Sequence, residues 1–334
     1  MSDVMIEAQG LVKRYEGVTA LDGVSMQVRR GEVLGFLGPN GAGKSTTMKI
    51  LTCFTSPTDG TAKVNGCDIA EDSLGVRRAL GYLPESTALY PDMLVLEYLQ
   101  FAAEMRGIVA DTQRKRLKVV VEETGLGDVI AKEIRALSKG YRQRVGLAQA
   151  LIHEPPILIL DEPMSGLDPN QAVEIRDLIK DIGRGERTVI LSTHNLAEVQ
   201  VACNRVLIIS KGRIVADDTP IGLRDRAGKS RCVVTLQQKG EDGFAKASES
   251  ALAGLPGVER VRRIDEAADG ELSFEVIPRG DDDLRPLLFR AAVDRGYTLL
   301  GLRREGQNLE QVFRELTTGP APEVSDKTKA KAAA

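Results

Sequence analysis

Continuous apolar runs of four or five residues recur along the first two thirds of the chain, with helically spaced segments between them. Val33–Leu37, Leu80–Leu83, Ile157–Leu160, Thr188–Leu191 and Val206–Ile209 read as core strands, because a parallel strand covered on both faces has no polar side to alternate with. Ser45 to Leu51 reads as a helix after the first of these runs. Met5–Val12 and Gly23–Val28 come before any helix and predict an antiparallel patch added to the main sheet. Between Tyr90 and His153 the pattern is helical and more polar, with no convincing strand, which predicts a helical subdomain inserted into the core. Residues 4–218 are therefore expected to form an α/β domain with a mostly parallel sheet.

From Arg231 the rhythm changes. Strands are predicted over Cys232–Leu236, Val258–Ile264, Leu272–Ile277 and Thr298–Leu302, with helices over Phe244–Leu255, Asp283–Arg295 and Leu309–Leu316. The βαββαβ order predicts a small ferredoxin-like α+β domain over 231–317, joined through a linker at 219–230. Residues 318–334, rich in Pro, Ala and Lys, read as a disordered tail.

The chain has 334 residues, 42% of them hydrophobic and 28% charged, which is globular composition and enough for a sizeable core. Lys and Arg number 45 against 48 Asp and Glu, a net charge of −3, so no whole-chain positive field draws it to nucleic acid or anionic membrane. The absence of Trp and the 4% aromatic content argue against a stacking platform for single strands. Cys53, Cys67, Cys203 and Cys232 lie far apart and read as small buried apolar residues of a reducing compartment, not a disulfide or zinc framework. No signal peptide is expected at the N-terminus, and no apolar run approaches the ~20 residues that span a bilayer.

Gly38-Pro39-Asn40-Gly41-Ala42-Gly43-Lys44-Ser45-Thr46 fits G-x-x-x-x-G-K-[ST] between an apolar strand and a helix. Gly41 and Gly43 permit backbone angles that turn successive N–H groups toward phosphate oxygens, and the helix aims its positive end at the same place. Lys44 is expected to reach the β- and γ-phosphates, and Ser45 to ligate Mg²⁺. Ile157-Leu158-Ile159-Leu160-Asp161-Glu162-Pro163 is a buried strand that ends in two acids, at the end where open α/β sheets bind ligands. Asp161 would hold Mg²⁺ through its water shell. Strand alternation would turn Glu162 the other way, toward the γ-phosphate and an attacking water, as general base. Of the two histidines, His153 reads as a helix cap or surface residue. His194, in Ser192-Thr193-His194, falls just past another strand end and faces the same crevice as Glu162 if the strands are neighbours. Asp281–Asp283 read as a solvated helix start.

Leu137-Ser138-Lys139-Gly140-Tyr141-Arg142-Gln143-Arg144 opens a helix whose apolar stripe runs Tyr141, Val145, Ala148, Ile152, with Ser138 as N-cap. A second anion-binding helix end is economical if it serves the nucleotide of another subunit; plain capping of a surface helix is the alternative. With these motifs, residues 4 to 218 strongly resemble the ATP-binding cassette (ABC) ATPases. Ser165-Gly166-Leu167-Asp168-Pro169 looks like that family's D-loop, Tyr15 matches the aromatic that stacks on adenine, and Val18 would pack beside it. The resemblance implies a P-loop NTPase fold of ABC type, ATP and Mg²⁺ as ligands, and two cassettes paired head to tail. Each ATP would then lie between one chain's P-loop and the Ser138–Gly140 segment of the other, with Asp168 near it, most simply in a homodimer.

Two motifs depart from the family pattern, the second reading Leu137-Ser138-Lys139-Gly140-Tyr141 where Leu-Ser-Gly-Gly-Gln is usual. Glu85, in Gly81-Tyr82-Leu83-Pro84-Glu85, stands where Gln is usual and would add a carboxylate near Mg²⁺. Lys139 replaces a glycine of the usual Leu-Ser-Gly-Gly-Gln and would add a cation near the partner's phosphates. Both variants, and the closing Asn308-Leu309-Glu310-Gln311-Val312-Phe313, resemble the branch serving ABC-2-type exporters, including gliding-motility-associated ATPases. The implied function is an ATPase subunit that drives a separate membrane permease, held at the cytoplasmic face of the plasma membrane through that permease. It would not insert into the bilayer itself or bind nucleic acid. A soluble ABC ATPase of translation or DNA maintenance is the alternative, although such members carry paired cassettes, long coiled coils or zinc sites that are not seen here.

Overall fold

The computed structural model describes residues 3–226, 231–237, 244–267, 271–280, 282–305, 313–314 and 316–317. The chain separates into two compact units, Met1–Pro220 with Leu316–Ala334, and Ile221–Glu315.

The first unit opens with β1 (Val4–Tyr15), β2 (Val18–Arg29), β3 (Val33–Leu37), α1 (Lys44–Leu51), β4 (Asp59–Val64), β5 (Cys67–Asp68), α2 (Ser73–Ala79) and β6 (Leu80–Leu83). The helices α3 (Val95–Met105), α4 (Ala110–Thr124) and α5 (Lys139–Leu151) follow. Then come β7 (Ile157–Asp161), α6 (Pro169–Gly183), β8 (Thr188–Thr193), α7 (Leu196–Ala202), β9 (Arg205–Ser210) and β10 (Arg213–Asp218). Six strands make the central sheet in the order β10-β9-β3-β8-β7-β6, parallel except for the antiparallel edge strand β10.

The central strands are apolar throughout because both faces are covered. Ile157 and Ile159 of β7 enter a core with Phe36, Met48 and Ile190, whereas Leu158 and Leu160 enter another with Leu99, Val145 and Ile179. All four are fully buried, each contributing about 1.5–3 kcal/mol by transfer from water.

The expected antiparallel patch is present, but it does not extend the main sheet. It is a separate four-stranded sheet, β2-β1-β4-β5. The reason lies in α1, which buries Met48, Ile50 and Leu51 and packs against β7 and β8 on one side and β2 and β4 on the other. A helix apolar on both flanks needs two covers. Residues 90–153 hold α3, α4, two short 3₁₀ turns and α5, with no strand. His153 is neither a cap nor a surface residue. The left-handed Glu154 (φ 53) turns the chain so that the half-buried ring hydrogen-bonds through Nε2 to the Leu80 carbonyl (3.1 Å), and burial pushes the imidazole down to about 4.

After β10, α8 (Pro220–Arg226) lies within the stretch expected as a linker. The second unit contains β11 (Arg231–Gln237), α9 (Phe244–Ala253), β12 (Val258–Ala267), β13 (Glu271–Pro278), α10 (Arg285–Asp294) and β14 (Thr298–Glu305). Its sheet runs β12-β13-β11-β14 with every pair antiparallel. Alternation is strict along β13, and Cys232, Val234, Leu236, Leu272, Phe274 and Val276 share a core with Phe244, Leu252 and Leu288, while Val233 on the other face of β11 is buried as well. Asp283 lies before α10, where hydrogen bonds from Arg285 bring its carboxyl down to about 2. Asp281, the tail after Thr317 and most of the helix expected over 309–316 fall outside the described residues, although Phe313, Arg314 and Leu316 are helical. Thr317 accepts a hydrogen bond from Ser210 Oγ (3.3 Å) in the first unit. All four cysteines are free; Cys232 is buried, and the other three are partly exposed.

Candidate nucleotide site at the ends of the parallel strands

Strand β3 ends at Leu37 and α1 begins at Lys44, so Gly38–Gly43 form the loop between them. Gly41 (φ 77) and Gly43 (φ 110) hold left-handed backbone that side chains resist. Gly43 is also sterically required, since a Cβ there would lie 2.7 Å from the Ala20 carbonyl oxygen. As the N-cap of α1 it supplies no capping side chain, which leaves the first helical N–H groups open to an anion. Ser45 and Thr46 stand partly exposed in that first turn. Lys44 is buried: its Nζ donates to the Gly38 carbonyl at 2.8 Å and to the Pro39 carbonyl at 3.3 Å.

The same ammonium stands 3.2 Å from Glu162 Oε1. Strands β7 and β8 are parallel neighbours with Asp161 beside Ser192, and Ser192 Oγ donates to Asp161 Oδ1 at 2.6 Å. Glu162 does turn away from Asp161, but strand alternation is not the cause. The strand stops at Asp161, and Glu162 adopts left-handed backbone (φ 50), held by its N–H on the Ser192 carbonyl (2.9 Å) and by Ser165 N–H on its own carbonyl (3.0 Å). Its second oxygen, Oε2, meets His194 Nδ1 at 2.8 Å. Lys44, Glu162 and His194, from the ends of three adjacent parallel strands, thus form one connected cluster with Asp161 beside it.

A third carboxylate adjoins this cluster that the motifs did not reveal. Glu198, in the first turn of α7, accepts from Thr193 and Asn195, and burial raises its carboxyl above the ordinary glutamate range, as does the charge of Glu162. The pattern Asn195-x-x-Glu198, an N-cap followed three residues later by Glu, was the available signal.

The other candidates lie elsewhere. Tyr15 and Val18 face each other across the β1–β2 turn, 49% and 63% exposed, with Lys13 Nζ 5.3 Å from the Tyr15 ring. Glu85 is exposed just beyond the end of β6; burial raises the Tyr82 hydroxyl, and the charges of Asp161 and Glu85 add to it. Ser138 caps α5 by accepting from Tyr141 N–H at 3.3 Å. Lys139 is exposed with its ammonium against Gly166, and Gly140 backs onto Gln171. Asp168 caps α6, accepting from Asn170 and Gln171 N–H, both at 3.0 Å. Among the described residues no hydrogen bond or ion pair links Ser138, Lys139, Gly140 or Asp168 to the Lys44–Glu162–His194 cluster.

No group of three or more His, Cys, Asp and Glu side chains among the described residues forms a metal cage. Mg²⁺ takes one or two carboxylates and completes its shell with water and phosphate oxygens. Ser45 and Asp161, with Glu85 further out, are donors of the right hard-oxygen kind.

A family model described as ABC transporter matches residues 21–165. The chain is 31% identical to the linearmycin resistance ATP-binding protein LnrL of Bacillus subtilis (strain 168), across 94% of this chain and 98% of that protein. It is 36% identical to the daunorubicin resistance ATP-binding protein DrrA3 of Streptomyces coeruleorubidus, across 74% and 78%. Among solved structures, the dimeric bacterial ABC transporter cassette MJ0796 superposes with a TM-score of 0.60 at 25% identity, over 65% of this chain and 99% of that one. A glycine cradle, a buried lysine and a carboxylate–histidine pair, set on this fold and in this company, place the chain in the ABC transporter family as an ATP-binding protein that hydrolyses ATP.

Proposed function

We propose that this chain is the motor subunit of an ABC-2-type exporter, which hydrolyses ATP to ADP and phosphate and couples that cycle to a separate membrane permease. The observation that carries it is the Lys44–Glu162–His194 cluster at the mouth of the glycine loop. Tyr15 stacks on the adenine, with Val18 beside it. Gly38 to Thr46 wrap the phosphates, with Pro39, Asn40 and Ala42 shaping the turn. Lys44 sits where it can pass from Glu162 to the β- and γ-phosphate oxygens. Ser45 and Asp161 would hold Mg²⁺, with Glu85 placed to tune it, and the ion would supply neutralisation of the phosphate charge. Glu162 takes the proton of the attacking water, whose oxygen bonds to the γ-phosphorus as the bridge to the β-phosphate breaks. His194 holds Glu162 through Oε2 and faces the same phosphate.

The second half of each site comes from a second copy, whose Ser138, Lys139 and Gly140 approach the phosphates and whose Asp168 lies alongside. Linearmycin and daunorubicin resistance in the relatives' names support export. No helix among the described residues is long and apolar enough to cross a membrane. On this reading the chain sits at the cytoplasmic face of the membrane, held there by the permease. The second unit has the βαββαβ strand order of a ferredoxin-like domain, and we assign it to regulation or dimer stabilisation.

Replacing the base tests the reading. Glu162→Gln is expected to lower kcat about 10²–10⁴-fold with ATP still bound. Unchanged phosphate release by that variant would overturn it.

A further inference from the structure

Two residues flanking His194 are tied to one side chain. Thr193 Oγ1 donates to Glu198 Oε2 at 2.5 Å, and Asn195 Nδ2 donates to Glu198 Oε1 at 3.2 Å. The bracket is cross-braced, since Asn195 N–H donates to Thr193 Oγ1 at 3.0 Å. Asn195 is otherwise committed to α7, its Oδ1 accepting from Ala197 N–H at 3.0 Å. The His194 side chain between them is 52% exposed, and its Nδ1 contact with Glu162 is the one side-chain hydrogen bond it makes among the described residues. Little packing holds a ring so open, so its direction is set by the backbone that carries it.

We propose that Glu198 is a positioning residue for ATP hydrolysis: by gripping Thr193 and Asn195 it fixes the backbone on both sides of His194 and so keeps Nδ1 on Glu162. The inference rests on the reading of His194 as part of the hydrolytic site. A carboxylate suits the task because both partners donate, and its two oxygens accept from both at once. Glutamine, nearly the same size, turns an amide nitrogen toward one of those donors and opens one side of the bracket.

The test uses the full chain and its ATP turnover. Glu198→Gln is expected to lower kcat about 5–50-fold with KM for ATP within about twofold, the pattern of a misplaced catalytic group in a site that still binds. Thr193→Val should reproduce the loss and Thr193→Ser should restore the rate, which keeps the test open if the Glu198 variant folds poorly. In a His194→Ala background, Glu198→Gln should cost nothing further, because a residue acting through His194 has nothing left to position. The proposal is overturned if Glu198→Gln turns over at the wild-type rate while His194→Ala is impaired. It is overturned equally if Glu198→Gln lowers the residual His194→Ala rate by the same factor as in wild type. A His194→Ala variant at the wild-type rate would instead refute the reading of the site, and the bracket with it.

Discussion

At the ends of β3, β7 and β8 each charged side chain has met its counterpart: Lys44 meets Glu162, Glu162 meets His194, and Asp161 is held by Ser192. At the starts of α5 and α6 the arrangement is the reverse. Ser138 and Asp168 cap their helices, yet Lys139, whose ammonium lies against Gly166, makes no hydrogen bond or ion pair among the described residues. In the first corner Lys44, Glu162 and His194 are linked to one another within one chain. In the second, Lys139 has no such link among the described residues, and the nearby Asp168 carboxylate is engaged in capping α6. Lys44 is tied into its corner whereas Lys139 is not, and the proposed sharing of a nucleotide between two copies predicts that contrast.

Mixing two inactive chains gives the largest effect that can break this comparison. Lys44→Ala removes the cation of the first corner, and Ser138→Arg blocks the second, so each variant alone should show almost no turnover. A mixed dimer has one composite site in which both corners are intact. Random pairing makes half of the dimers mixed, with one working site of two, so about a quarter of wild-type turnover should return on mixing. No recovery would show that the two corners do not share a nucleotide.

Stability separates the corners next. Lys44→Met leaves Glu162 a buried carboxylate with His194 as its sole side-chain partner, and should cost about 2–4 kcal/mol in denaturant unfolding of the nucleotide-free chain. Lys139→Met removes an exposed charge that nothing answers, and should stay within about 0.5 kcal/mol. Equal losses would mean that the second corner is as closed as the first.

How far the sequence disclosed this arrangement depends on the kind of interaction. Strands β3 and β6 were legible to the residue, because four or five apolar positions in succession allow little else. In the second unit β13 was legible for the opposite reason, its strict alternation, and β11 by its apolar run of Cys232, Val233 and Val234. Strands β4 and β10 escaped: Asp59-Gly60-Thr61-Ala62-Lys63-Val64 hides two buried positions among polar ones, and in β10 Ala216 alone is fully buried. At the site, glycine, lysine and carboxylate spacing announced the phosphate loop and strand ends. The turn at Glu162 was not legible, since nothing in its side chain signals left-handed backbone, which the hydrogen bonds to Ser192 and Ser165 enforce. The Lys44–Glu162 pair joins residues 118 positions apart and exists only once β3 and β7 share a sheet.

The smallest effect concerns His153, which lies just beyond the C-terminal end of α5 and ties it to β6 through the Leu80 carbonyl. Burial, with the nearby Arg106 and Arg116 charges, keeps the ring neutral down to about pH 4, whereas an unfolded histidine takes up its proton near 6.5. Between those values the unfolded chain binds more protons than the folded one, so stability falls as pH drops from about 6.5 to about 4 and is fully present above that window. The ring is partly open to solvent, and screening limits the loss to about 1 kcal/mol. His153→Gln keeps a donor for Leu80 and cannot titrate; its stability should fall less than that of wild type between pH 7 and pH 5, measured by denaturant midpoints. ATP affinity at saturating Mg²⁺, governed by the closed corner, should follow the same pH course in both proteins. A parallel shift in ATP affinity would mean that the anchor of α5 and the phosphate loop are one cooperative element, and the division drawn between the two corners would fail.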